Sequence, residues 1–207
     1  MSVVTDNLGF WSSRARPIVG LSLCAAFVIL HLLPLSAVFG GDADYNLIAG
    51  LFASLPLYNV ADAILALLVV AHAFLSVLSI YYSSVAPASF FSSGNLTYVI
   101  GRVSAVAIVP FVAYMMYVTR FSPGAVPSGA ADFSSISSVI SSRSEFVFFV
   151  CGFIAFGAYI ACALRLVLFQ WGLLAGARSK RFFWIFTSGA GFVVAVWGLL
   201  VLFAFRA

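Results

Sequence analysis

Five apolar stretches, at approximately 17–39, 59–83, 98–121, 146–170 and 183–205, dominate this chain of 207 residues. Each is long enough to cross a bilayer as a helix, which takes roughly 20 apolar residues. Each ends in polar or helix-breaking residues: Gly40-Gly41-Asp42, Ser83-Ser84 with Pro87, Ser122-Pro123-Gly124, and the segment from Gly172 to Arg181. Charged side chains make up 8% of the chain, against about 25% in a soluble domain, too few to clothe a water-facing surface. The expected fold class is therefore all-α integral membrane, with five transmembrane helices forming a single unit over 1–207. A soluble enzyme domain, a nucleic-acid binder and a disordered linker are excluded.

The charges orient the helices. One side of the membrane receives Arg14, Arg16, Arg102 and the cluster Arg178, Lys180 and Arg181. The other receives Asp42, Asp44, Asp62, Asp132 and Glu145, with Arg120, Arg143 and Arg206. The Lys/Arg excess near span ends places the amino terminus in the cytoplasm or matrix and the carboxyl terminus outside. The first span is too long for the core of a cleaved signal peptide.

Cys24, Cys151 and Cys162 fall within spans, form no CxxC pair, and read as small apolar packers. In the serine-rich loop 122–145 the apolar positions 133, 136, 139 and 140 recur at helical spacing. A short interfacial helix and a solvated loop both fit. Small residues at Gly152, Gly157 and Ala161, and at Ser188, Gly191 and Ala195, mark faces where the fourth and fifth spans approach closely.

Ionisable groups inside a bilayer are costly, and each is a functional candidate by default. The two histidines, His31 and His72, both lie deep in spans. Imidazoles facing each other from different helices are the usual axial ligands of a b-type haem, and a lone membrane histidine is as readily a hydrogen-bonding residue between helices. At 1.5 Å per residue, His31 lies ~12 Å from the outer end of its span and Met115 ~9 Å from the same surface. His72 and Tyr159 are each about midway along theirs. Met and Tyr can both ligate haem iron, although in helices they are more often filler and packing. Arg165 and Arg102 occupy the half of the bundle nearer the amino-terminal side. There each can snorkel to the interface, neutralise a propionate or polarise a quinone carbonyl.

Taken together, Phe27-Val28-Ile29-Leu30-His31-Leu32, Ala71-His72-Ala73-Phe74-Leu75, Arg102-Val103-Ser104, Tyr117-Val118-Thr119-Arg120, and Trp171-Gly172 followed by the basic loop Ala177-Arg178-Ser179-Lys180-Arg181 resemble a known family. It is the single-polypeptide five-helix membrane anchor, or cytochrome b subunit, of succinate dehydrogenase and quinol:fumarate reductase. The resemblance runs from about residue 17 to 205. It implies a bundle of the first four helices with the fifth peripheral. It also implies two haems b, the outer held by helices one and three and the inner by helices two and four.

In this chain the four ligand positions fall on His31, Met115, His72 and Tyr159, and two of the four are not histidine. A haem-free anchor is the simplest expectation, with one or two haems of unusual ligation left open. The resemblance further implies docking of an iron–sulfur subunit and a flavoprotein, which carry the clusters and FAD, on the cytoplasmic or matrix face. Electrons would pass to or from a membrane quinone, in a bacterial plasma membrane or a mitochondrial inner membrane, and the complex can assemble into higher oligomers. The expected quinone residues are Arg165, Arg102, Tyr81, His72 and Trp171, and the expected docking residues Arg178, Lys180 and Arg181. The competing class is a small transporter or a non-redox scaffold. Against a transporter, no repeat is visible, and Asp62 is the one acid near a span.

Overall fold

A computed structural model of the chain describes residues 3–81, 93–120, 130–172 and 176–206. The breaks expected at 83–87 and at 122–124 lie outside the described residues. Among the described residues five helices are long and apolar enough to cross a membrane: Arg14–Gly40, Tyr58–Tyr81, Leu96–Arg120, Arg143–Gln170 and Arg178–Ala204. The first packs on the second and fourth, and the third on the fourth and second, closing a four-helix bundle. The fifth lies chiefly along the fourth, outside that ring. There Gly157 and Gly191 oppose each other so closely that a Cβ on either would strike the other's carbonyl oxygen. This is the close backbone approach that small residues permit in lipid.

The first span is not a uniform helix. It widens to a π turn over Val28–Leu32, which carries His31, and tightens to a 3-10 turn over Ser36–Gly40. Pro34 has no N–H to give the carbonyl of Leu30, four residues back. The hydroxyl of Tyr58, at the head of the second span, donates to that carbonyl at 2.9 Å. Local irregularity in the first helix is thus sealed by its neighbour.

Two short helices cap the end of the bundle opposite the amino terminus. One, Asp42–Ser54, begins after Gly41, whose φ of 99° is readily accessible to glycine. The other, Phe133–Ser141, takes the helical one of the two alternatives left open for positions 133–140; its Ile136 and Ile140 are buried and Asp132 caps its first turn by accepting from the Ser135 N–H. The caps hold each other: Tyr45 donates to the Ala131 carbonyl at 3.1 Å, and the Phe133 N–H donates to Asn46 Oδ1 at 2.8 Å. Ser137 donates to the Phe205 carbonyl, which ties in the end of the fifth span.

Between the two ends the bundle axis is filled by phenylalanine. Phe27, Phe111, Phe149, Phe153 and Phe156 are fully buried. Their rings touch in sequence, Phe27 to Phe156 at 5.1 Å and Phe111 to Phe153 at 5.0 Å between centroids, within the range of favourable aromatic pairs. Gly152 and Gly198 make room for two of these rings, since a Cβ at either would overlap Phe111 or Phe153 respectively.

Candidate functional site

Among the described residues the buried polar side chains gather at two levels, one on each side of the phenylalanine plug. On the amino-terminal side a cavity of about 580 Å³ opens between the starts of spans one, three and five and the second half of span four. Its polar and aromatic wall includes Arg16, Tyr98, Cys162, Arg165, Lys180 and Trp184. Pro17, Leu166 and Phe169 supply apolar surface. The size and the mixture of apolar wall with a few convergent polar groups suit a small organic ligand.

Arg165 is held by the fifth span. Its Nε–H donates to Thr187 Oγ1 at 3.0 Å, one Nη donates to Ser188 Oγ at 2.5 Å, and the guanidinium lies 4.7 Å from the Trp184 ring centroid. Thr187 is fully buried, so this arrangement belongs to the helix interface. Arg102 sits one helix away, donating to the Ser79 carbonyl at 2.6 Å and stacking on Tyr98, a wall residue, at 4.8 Å. Tyr81 and Trp171 are 80% and 66% exposed and are not among the residues lining the cavity. Arg178, Lys180 and Arg181 sit in the first turns of the fifth helix, with Lys180 at the cavity wall.

Arg16 was read from the sequence as a topology charge, and the structure turns it inward: it is 8% exposed and lines the cavity. Nothing in the local sequence distinguishes it from Arg14, which is exposed. What sets its direction is the packing of spans three and four around it.

Deeper on the same side, His72 and Tyr159 meet edge to face with ring centroids 5.1 Å apart. His72 Nε2 donates to the Ala105 carbonyl at 3.1 Å, the Ser76 hydroxyl lies 3.4 Å from the same nitrogen, and Tyr159 donates weakly to the Arg16 carbonyl at 3.5 Å. Gly20 lies against both rings, and a Cβ there would overlap the Tyr159 hydroxyl and His72 Cε1.

On the opposite side His31 is 2% exposed and belongs to a buried polar cluster. Thr119 donates to the Met115 carbonyl at 2.9 Å, which leaves its oxygen to accept from His31 Nδ1–H at 3.0 Å. His31 Nε2 lies 3.4 Å from Asp62 Oδ1, and Arg120 Nε meets Asp62 Oδ2 at 2.6 Å. Arg120 also donates to Asn59 Oδ1 and stacks over Tyr58 at 4.5 Å. The free space beside this cluster is about 20 Å³, enough for one water and no more. Met115 is buried in the core one helical turn from Thr119.

Comparison with curated proteins places the chain beside the succinate dehydrogenase cytochrome b558 subunit of Bacillus subtilis (strain 168), 23% identical over 203 residues. The alignment spans 98% of this chain and 100% of that protein. The chain is a near-full-length relative of that subunit. The five apolar helices are consistent with a membrane anchor, and the family resemblance drawn from the residues stands. No family model and no solved structure matches.

The relative is a cytochrome b by name, and a haem held between helices needs an open ligand on each of two facing spans. The residues here do not fit that group. At the level of His72 and Tyr159 the two rings are in direct contact, with no thickness between them for a macrocycle. At the level of His31 one ring nitrogen faces Thr119 and the other Asp62, Phe27 stacks on the ring face at 5.7 Å, and the space alongside is water-sized.

Proposed function

We propose that this chain is the membrane-anchor subunit of a succinate:quinone oxidoreductase, that it works without haem, and that it holds a quinone in the cavity on its amino-terminal side. The observation that carries the reading is the cavity itself: a largely apolar space of about 580 Å³ with Arg165 and Arg16 on its wall, in a near-full-length relative of a succinate dehydrogenase membrane subunit. A quinone ring packs against Trp184, Tyr98 and Phe169, and a carbonyl oxygen accepts from the N–H groups that Arg165 has left after Thr187 and Ser188.

The amino-terminal side is the cytoplasmic or matrix face. Arg178, Lys180 and Arg181, beside the cavity mouth, dock the iron–sulfur subunit, which in turn carries the flavoprotein. With the cavity on the docking side, electrons reach the quinone without crossing the bilayer, and the phenylalanine plug needs no relay through it. The transporter alternative draws on Asp62 as a membrane carboxylate, but Asp62 is paired with Arg120 and His31 beside a water-sized hole.

Purification in mild detergent tests the assignment. Flavin and iron–sulfur polypeptides copurify with the chain, and the preparation reduces a water-soluble quinone at the expense of succinate. Loss of both partners under conditions that keep the chain folded overturns it. A pyridine haemochrome assay on the same sample gives no b-type spectrum; a stoichiometric haem signal refutes the haem-free part alone.

A further inference from the structure

Arg16, Arg165 and Lys180 line one cavity, and no carboxylate lines it among the described residues. Arg165 has hydroxyl and ring partners. Arg16 has none for its guanidinium: no hydrogen bond or ion pair is formed by that side chain among the described residues, and the charged group nearest in effect is another cation, Arg102. At 8% exposure the side chain is mostly covered by its own chain, and it stands at the cavity wall. A guanidinium does not lose its proton in a protein. Keeping one buried without a countercharge is expensive, and the usual remedies are a paired anion or neutralisation, of which arginine has only the first.

The opposite end of the same bundle shows the contrast. There Arg120 is partly buried and is matched by Asp62. The bundle matches a buried arginine where no ligand is called for and leaves one unmatched where a cavity adjoins it.

We propose that the cavity binds its aromatic ring ligand as an oxyanion, with the Arg16 guanidinium as the countercharge. This rests on the quinone-site reading and sharpens it: the preferred ligand is a planar ring that carries negative charge on a ring oxygen, and neutral rings of the same shape bind more weakly. Aromatic surface at Tyr98, Phe169 and Trp184 favours a ring over the phosphate of a lipid, which supplies the charge without the plane. Arg102, outside the cavity, stacks on the Tyr98 ring at 4.8 Å and adds positive charge behind that wall.

The test uses the purified complex containing the full chain and two probes, a hydroxynaphthoquinone that is ionised at neutral pH and its neutral O-methyl ether. Equilibrium binding at neutral pH favours the ionised compound by about tenfold or more, the order that a charge-assisted hydrogen bond supplies. Arg16→Gln removes the preference, Arg16→Lys keeps most of it, and Arg143→Gln, an exposed change at the far end of the bundle, leaves it intact. Equal binding of the two probes by the unaltered protein overturns the oxyanion proposal and leaves the ring site standing. Binding of neither overturns the quinone reading and this proposal with it. If phosphatidylglycerol in nanodiscs displaces the ionised probe while phosphatidylcholine does not, and Arg16→Gln abolishes that displacement, the countercharge is a lipid phosphate and the ring proposal is wrong.

Discussion

The two ends of this bundle solve the same problem in opposite ways. Each holds an arginine and an imidazole at membrane depth, beside aromatic rings. At the end opposite the amino terminus, Asp62 lies between Arg120 and His31, His31 bonds Thr119, two capping helices cover them, and almost no space remains. At the amino-terminal end Arg16, Arg165 and Lys180 share a cavity wall that no carboxylate lines among the described residues, and about 580 Å³ stands open. A closed, mutually paired cluster stabilises three helices against one another. An open cluster with unmatched charge is prepared for something that arrives from outside the chain.

The largest expected effect comes from breaking the closed end. Asp62→Ala leaves Arg120 enclosed without its carboxylate and lowers stability by about 3 kcal/mol or more, read from the detergent-denaturation midpoint, while quinone turnover per folded complex is retained. At the open end the roles reverse. Arg165→Leu lowers quinone-dependent turnover about a hundredfold, as loss of a preorganised donor to a ligand oxygen does, while dye reduction by the hydrophilic subunits persists; an unaltered quinone rate removes Arg165 from the site.

Gly20→Ala probes the boundary between the ends, because the added methyl meets Tyr159 and His72. A loss of about 1–3 kcal/mol in stability is expected from overpacking, and a neutral result means that the two rings do not lie against Gly20. Thr187→Val deprives Arg165 of one acceptor and gives a several-fold rise in KM for quinone that Thr187→Ser restores. The smallest effect is at Asp132. Hydrogen bonds from Ser135 and Ser134 hold its carboxyl below the ordinary range. Its cap on the Phe133–Ser141 helix is therefore fully present above the ordinary carboxylate range and is lost as pH falls below it. Asp132→Asn keeps a cap and abolishes that acid dependence in amide exchange.

Much of this was written in the sequence because lipid leaves few choices. The five spans were legible within a few residues, since apolar length decides them, and depth counting brought His72 level with Tyr159, which do touch. Rotation about the helix axis was not legible. Inner-half position and ring or donor chemistry give Tyr81 and Trp171 the same standing as Arg165, yet the first two are 80% and 66% exposed and do not line the cavity. Arg16 passed for a topology charge because its burial is made by residues more than eighty positions later. The Asp42–Ser54 helix was missed, although Gly41 before it and Asp42 and Asp44 in its first turn are proper signals of a helix start. Behind a pair of glycines, Asp42 and Asp44 read as the polar end of the first span. His31 was matched to Met115 by level, and its ring found Thr119, one turn further along the same helix.

The glycine crossing of spans four and five bears on biogenesis. A guanidinium within an apolar helix weighs against that helix partitioning into lipid by itself. Span five follows span four after a short connection, and with Gly157 against Gly191 it delivers Thr187 and Ser188 to Arg165 as soon as the hairpin closes. The pair can therefore leave the translocon as one unit whose most awkward polar group is already dressed, before the first three helices have gathered around it.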